Sequence, residues 1–389
     1  MPTDEKQRRE RRRSGRLHPI ALLWGVASLL LATTSCVGIF AGDTPDFDTQ
    51  PYIGHTTTTT STISWVTKEP SIGRLRFGAY PGKLDQVRVE ATPQRIHELR
   101  LDGLVQNTRY RYRVEPSAQG GASGSFWTAP SATDAFSFVV LGDTRDNHEI
   151  HQSIVRQIIQ LERDRRFVFN LGDMVNDGES VSEWKAFFED VSPLARFSPY
   201  YSTLGNHERN ADLYFELFSL PRNGSHLERN YSFDYGNSHF TVVDSNEKYR
   251  DDERQLEWLD QDLQQAQSAT FRIVFFHHSG HGTRPERMED HEKVSRLFDG
   301  YLERGHVTLV FNGHDHNYVH ASKNGIEYVV TGGGGAPLHE LGPPTDETIV
   351  QSKIHHYCRV AVSPEQLEVV AIDSASGRID SFVIRAKRP

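Results

Sequence analysis

Four short apolar runs in this 389-residue chain each stop on side chains that bind metals, and a fifth stretch ends the same way. Asp143 follows Phe138-Val139-Val140-Leu141, and Asp173 follows Phe167-Val168-Phe169-Asn170-Leu171. His277 follows Ile273-Val274-Phe275-Phe276, His314 and His316 follow Leu309-Val310-Phe311, and the fifth stretch is Leu204-Gly205-Asn206-His207-Glu208. Apolar runs of this length bounded by turn residues read as buried strands. Helical spacing appears between them: Ile150, Ile154, Val155, Ile158 and Ile159 within His148–Arg163, then Leu256, Trp258, Leu259 and Leu263. Alternating strand and helix predicts an α/β layered domain with its ligands at strand carboxyl ends. Five strand ends would then converge on one site.

The residue types define the chemistry of that site. Hard cations prefer carboxylate and amide oxygens, softer ones accept imidazole, and two cations side by side can clamp a phosphoryl group. Asp143, Asp173, Asn206, His277, His314 and His316 are the candidate ligands. A glycine precedes Asp143, Asp173, Asn206 and His314, as expected where backbone turns sharply against a site. Of the pair His277-His278, spacing from the apolar run favours His277, because adjacent strand side chains point to opposite faces. Arg145 offers a planar fork for phosphate oxygens or, alternatively, an ion pair with Asp146. His281 is a candidate substrate contact on a loop, while His148, His151, His355 and His356 read as surface or supporting residues. Gly332–Gly335 lacks the following Lys-Ser/Thr of a P-loop and is expected to be close backbone packing near the metals.

Ahead of Asp134 the texture is different. Thr62–Thr67, Gly73–Gly78, His97–Leu101, Tyr110–Val114 and Ser125–Thr128 alternate apolar and polar residues, the pattern of half-buried strands in an all-β sandwich. Thr56–Thr60 is β-branched throughout and reads as strand. Trp65, Leu101-Asp102-Gly103-Leu104 and Asn107-Thr108-Arg109-Tyr110 resemble a fibronectin type III domain. The stretch from Tyr357 through Ile372 to Ile384 returns to strands and is expected to complete a sheet. The expected organisation is a leader over 1–42, a sandwich over 43–130 and the α/β domain over 134–389.

In order, the motifs GD, GD, GNHE, a strand-end His and GHDH resemble the calcineurin-like metallophosphoesterase superfamily, and with the preceding sandwich its purple acid phosphatase branch. The resemblance implies a four-layer αββα domain around two divalent metals (Mn, Fe, Zn or Co), with a phosphorylated substrate. It implies that Asp173 bridges the metals, that Asn206, His277 and His314 complete one site, and that Asp143 and His316 belong to the other. His207 would donate a proton or stabilise the transition state, Arg145, Asn206 and His281 would touch substrate, and a hydroxide between the metals would be the nucleophile. The chain departs from the family at the first site. Arg145 stands where most of the superfamily has His, and Asn176 stands where purple acid phosphatases have Tyr, leaving Asn176 as a possible extra ligand. A phosphomonoesterase is expected, with a phosphodiesterase as the alternative and, in another class, a cell-surface binding protein with a degenerate site.

The N-terminus predicts export. Six arginines between Arg8 and Arg16 precede an apolar run, Ile20–Leu31, and Ala32-Thr33-Thr34-Ser35-Cys36 resembles a bacterial lipoprotein cleavage site with Cys36 as the lipidated residue. An uncleaved anchor is the alternative, since no charge falls between Pro19 and Gly42. Either version tethers the body to a membrane outside the cytoplasm. The formal charge of -9 understates the acidity of that body, since the first 35 residues hold seven Lys or Arg against three Asp or Glu. No nucleic-acid partner is expected of so acidic a chain. Cys358 is the only other cysteine, so no disulfide within the mature chain is expected.

Overall fold

The computed structural model describes residues 47–116 and 122–387. The leader and Cys36 lie outside the described residues; among those described, no helix is long and apolar enough to cross a membrane.

The first strands are β1 (Tyr52–Thr56), β2 (Ser61–Ser71), β3 (Arg74–Ala79), β4 (Gln86–Val89), β5 (Gln94–Leu101), β6 (Arg109–Glu115) and β7 (Ala122–Trp127). They make a three-stranded sheet, β1-β2-β5, and a four-stranded sheet, β4-β3-β6-β7. The faces close on one core in which Ile63, Trp65 and Leu101 of the first sheet meet Leu75, Phe77 and Tyr112 of the second. One expectation fails here. β1 ends at Thr56 and Thr57–Thr60 form the turn into β2. Thr57 Oγ1 accepts from the backbone N–H of Thr59 and Thr60 at 3.2 and 3.0 Å. Hydroxyls that bond neighbouring backbone compete with strand pairing, so β-branching is outweighed there.

The remaining elements are β8 (Phe136–Leu141), α1 (His148–Leu161), β9 (Arg165–Asn170), α2 (Val181–Ala195), β10 (Tyr200–Ser202), α3 (Asp212–Leu217), β11 (Tyr231–Tyr235), β12 (Ser238–Val242), α4 (Glu253–Gln265), β13 (Phe271–Phe275), α5 (Met288–Arg304) and β14 (Leu309–Asn312). After them come β15 (Tyr318–Lys323), β16 (Ile326–Thr331), β17 (Thr348–Ser352), β18 (His356–Val362), β19 (Gln366–Asp373) and β20 (Arg378–Arg385). Six strands form β10-β9-β8-β18-β19-β20 and seven form β11-β12-β13-β14-β16-β15-β17.

Side-chain alternation stacks these sheets into four layers. Ile273 and Phe275 of β13 join Phe138, Phe167 and Phe169 of the other sheet in the central core, whereas Val274 and Phe276 meet Leu259, Leu263, Val294 and Phe298 of α4 and α5. On the far side, Ile154 and Ile158 of α1 and Trp184 and Phe187 of α2 cover the six-stranded sheet. The αββα arrangement inferred from sequence is thus the observed one. Phe169 and Phe275 stack across the two sheets at 3.9 Å between centroids, which draws the ends of β9 and β13 together. β8, β9 and β10 run parallel, as do β12, β13 and β14, so both sheets deliver carboxyl ends to one rim.

Candidate metal centre

Each ligand candidate is aimed by backbone as much as by side chain. Asp143, Asp173 and His314 sit at φ of 56°, 55° and 68°, left-handed values uncommon for residues other than glycine. Such outliers cluster where function over-determines the backbone. The chain also crowds. A Cβ on Gly205 would lie 2.2 Å from Asp173 Oδ1, and one on Gly332 would lie 2.6 Å from Asp143 Oδ2, so only glycine fits either place. The Gly332–Gly335 run is therefore close packing beside the site, as its sequence suggested. His151 Nδ1 lies 3.2 Å from Gly334 O, and His356 is fully buried against Thr331, so these two support that run from inside the protein.

Two groups of ligand atoms result. In the first, His277 Nε2 lies 3.4 Å from Asp173 Oδ1, 3.2 Å from Asn206 Oδ1 and 3.1 Å from His314 Nδ1. His277 donates its Nδ1 proton to Leu171 O at 2.7 Å, which leaves Nε2 as the ligand nitrogen. In the second, Asp143, Asp173 and His316 bring ligand atoms within 4.8 Å of one another. His316 donates Nδ1–H to Pro337 O at 2.7 Å, so its Nε2 lone pair faces Asp143 Oδ1 at 3.3 Å. All six sequence candidates for metal binding come together.

The donor set fits cations. Asp143 and Asp173 are buried carboxylates, and Asp143 Oδ1 has no hydrogen-bond partner, a costly arrangement without a counter-charge. Burial, then the neighbouring imidazoles, hold His314 and His278 well below the ordinary histidine value, so both are neutral lone-pair donors. Burial works against His277 too, but Asp173 lifts it to about 9; metal binding would displace that proton. His278 was set aside on sequence grounds. In the structure it is buried, its ring 4.2 Å from that of His314, and its ligand nitrogen groups with those of His277 and His314. The cause is that β13 ends at Phe275, so His277 and His278 lie on a bend that need not alternate.

Two expectations are corrected. Asn176 does not turn its oxygen to the second group, because that oxygen accepts from Arg145 Nη1 at 2.9 Å while Nδ2 donates to Asp146 Oδ1 at 2.6 Å. Arg145 itself pairs with Asp146 and reaches toward the centre, its Nε 3.6 Å from Asp173 Oδ2 and without a hydrogen-bond partner. Of the two alternatives the ion pair with Asp146 is therefore present, on a guanidinium that also approaches Asp173. His281 is the second correction. Its nitrogens lie 2.7 Å from Glu347 and 3.1 Å from Asp299, and its ring packs on Tyr328, so neither nitrogen remains for substrate.

His207 is held by Asn176 and Asp173. Its Nδ1–H donates to Asn176 O at 2.9 Å, and its backbone N–H donates to Asp173 Oδ1 at 3.0 Å. Nε2 is left 3.9 Å from Asp173 Oδ2 on a side chain 30% exposed. Sequence reasoning missed the supports around it. Buried Glu208 accepts from the N–H groups of Asp173, Met174 and Gly205 at 2.9, 2.7 and 2.7 Å, joining two ligand loops. Asp315, between His314 and His316, pairs with Arg287 at 3.0 Å and His291 at 2.8 Å. His339 stacks on His316 at 3.7 Å, with Arg284 Nη1 2.7 Å from its Nδ1.

A buried carboxylate–imidazole–amide constellation at the strand ends of an αββα fold defines a metal-dependent phosphoesterase. Residues 136–318 match the calcineurin-like phosphoesterase family, in which a dinuclear metal centre is typical. The chain is 26% identical over 305 residues to purple acid phosphatase 21 of Arabidopsis thaliana, covering 70% of this chain and 68% of the relative. It is 24% identical over 316 residues to probable inactive purple acid phosphatase 1 of the same plant, covering 64% of this chain and 50% of that one. The fold is that of purple acid phosphatase PPD1 from yellow lupin (Lupinus luteus), with a TM-score of 0.75 at 19% identity over 87% of this chain and 74% of the lupin chain.

Proposed function

We propose that this chain hydrolyses phosphoric monoesters outside the cytoplasm, tethered to a membrane by its N-terminal leader. The observation that carries the reading is the convergence of Asp143, Asp173, Asn206, His277, His314 and His316 on one rim, with Arg145 and His207 beside them. When bound, divalent cations supply Lewis acidity at the phosphoryl group. The protein groups supply position and protons. Asp173, held by the backbone N–H of His207, and Asp143, held by that of His314, would hold the cations. The part-exposed guanidinium of Arg145 suits a phosphoryl oxygen, and His207 Nε2 suits the leaving-group oxygen.

A monoester carries one more exposed anionic oxygen than a diester, and a guanidinium permanently beside Asp173 favours the more highly charged group. Metal analysis of the purified chain, combined with hydrolysis of an aryl phosphate and the corresponding aryl diester, tests the reading. The monoester is expected to be the better substrate by at least tenfold in kcat/KM, with metal bound. A preference for the diester would replace the monoesterase reading, and metal-free protein without either activity would replace the enzyme with a binding protein.

A further inference from the structure

The outer face of the β4-β3-β6-β7 sheet carries five arginines. Register places Arg76 directly opposite Arg113, Arg111 opposite Gly78, and Arg109 opposite Trp127, while Arg74 faces Glu115. Directly opposed residues share a face, so Arg74, Arg76, Arg109, Arg111 and Arg113 all project from one side, and all are exposed. Among the described residues, Glu115 is the one acid these four strands place on that face, 3.3 Å from Arg113. Like charges directly opposite each other weaken a sheet, and Arg76–Arg113 is such a pair, offset in part by Glu115 beside Arg113. Such a concentration in a chain of formal charge -9 is a local feature with an external target.

Apolar and amphipathic side chains are interleaved with the arginines. Val87 and Val89, opposite Arg76 and Arg74, are 42% and 48% exposed, and Tyr80 at the sheet margin is 51% exposed. Arg109 and Arg111 lie over the Tyr80 ring at 5.2 and 5.3 Å. Trp127 is 37% exposed and carries Arg166 over its ring at 4.3 Å, continuing the basic surface onto the start of β9. Arginine with valine, tyrosine and tryptophan on a flat sheet is the composition of an interfacial surface, where apolar groups enter the headgroup layer and guanidinium groups pair with phosphates.

We propose that this face docks on an anionic lipid bilayer, as a second attachment beside whatever the leader provides. The uncharged run Ile20–Leu31 ends 16 residues before Phe47, the first described residue, so the chain is already expected at a membrane. Single lipid-binding signals are weak, and a basic surface beside a tether is the combination that holds. The geometry also has a functional consequence. Arg166 lies at the start of β9 and Asp173 past its other end, with about 13 Å of strand between Arg166 and Asn170, so docking leaves the centre open to soluble esters.

The test uses the full chain in detergent, diluted into vesicles of phosphatidylcholine alone or with about one third phosphatidylglycerol. Wild type is compared with the triple variant Arg74→Gln, Arg76→Gln, Arg113→Gln and with Arg76→Gln alone. The leader is common to all three, so differences report the sheet face. The triple variant is expected to bind anionic vesicles roughly 100-fold more weakly and the single variant about fivefold, with no change on phosphatidylcholine and unchanged aryl phosphate turnover. Equal binding by wild type and the triple variant would overturn the proposal. So would wild type that binds heparin in solution yet binds anionic vesicles no more tightly than phosphatidylcholine vesicles, which would assign the face to a soluble polyanion. Arg76→Gln, which removes the opposed pair without touching the core, keeps the result readable if the triple variant folds poorly.

Discussion

Arg145 donates to the amide oxygen of Asn176 at 2.9 Å, so the two positions at which the chain departs from the family it resembles are bonded to each other. The guanidinium stands 3.6 Å from Asp173 Oδ2, so a fixed positive charge shares a carboxylate with the Asp143 side. Repulsion between that charge and a second cation makes the Asp143 side the weaker of the two. Arg145→His removes the permanent charge and adds a lone-pair donor. Metal titration of wild type should show two unequal affinities; in the variant the weaker site should tighten about tenfold while KM for an aryl phosphate rises. Equal affinities in wild type would defeat this account.

In the proposed reaction His207 would contribute through a proton on Nε2, its Nδ1–H being committed to Asn176 O. Changing it to alanine should leave metal content near normal and reduce kcat by about 10²–10⁴ on esters with poor leaving groups, with a smaller loss on activated aryl esters. Metal analysis beside a leaving-group series separates the roles. Loss of metal in parallel with rate would make His207 a ligand.

Glu208 joins the Asp173 loop to the Gly205 loop through three backbone N–H groups. Burial, then the charge of Asp173, push its carboxyl up to about 7. Glu208→Gln keeps the volume but turns an NH2 group onto one of those donors, leaving a buried N–H unpaired. A loss of about 2–4 kcal/mol in unfolding free energy is expected, with weaker metal retention. Denaturant unfolding of both proteins at matched metal concentration checks it; an unchanged midpoint would show that water replaces the carboxylate.

A pH signature should come from a place remote from the centre. His239 lies 2.7 Å from Asp234 and 3.0 Å from Asp262, and Arg272, opposite it on β13, is occupied by backbone carbonyls. Burial disfavours the charged ring, but the two carboxylates lift it to about 9. Because the folded value is raised, the stabilisation is complete below the unfolded value of about 6.5 and fades as pH rises through about 9. Urea unfolding should therefore show wild type losing roughly 1–3 kcal/mol between pH 6 and pH 10 relative to His239→Asn. Parallel pH curves for the two proteins would rule the triad out as the source.

What the sequence revealed and what it concealed divide along chain separation. The ligands were legible because each is local: an apolar run, a glycine and a donor at a strand's carboxyl end. Glu208 was in view beside His207, but its task was not, since two of its partners, Asp173 and Met174, lie more than thirty positions away. His281 misled for the same reason, its partners being Asp299 and Glu347 on other elements. Thr57–Thr60 misled through propensity, where hydroxyl bonds to the turn outweigh β-branching. The arginine face was written as Arg109-x-Arg111-x-Arg113, yet its meaning needed the β3–β6 register that sets Arg76 against Arg113.

The colour of the protein tests the metal corner itself. In the purple acid phosphatases that the chain resembles, a tyrosinate bound to ferric iron gives the violet band, and the anionic oxygen favours the trivalent ion. Here Asn176 offers a neutral amide oxygen already held by Arg145, and the guanidinium further opposes a 3+ ion. The purified wild type should be colourless and active with divalent metals. Asn176→Tyr alone should remain colourless after iron loading, because Arg145 would still occupy the corner beside Asp173. Arg145→Ala with Asn176→Tyr should develop a visible charge-transfer band with iron, since the double change removes the cation and supplies the phenolate together. A coloured wild-type protein would place another tyrosine in contact with iron and overturn the assignment of this corner to Arg145 and Asn176.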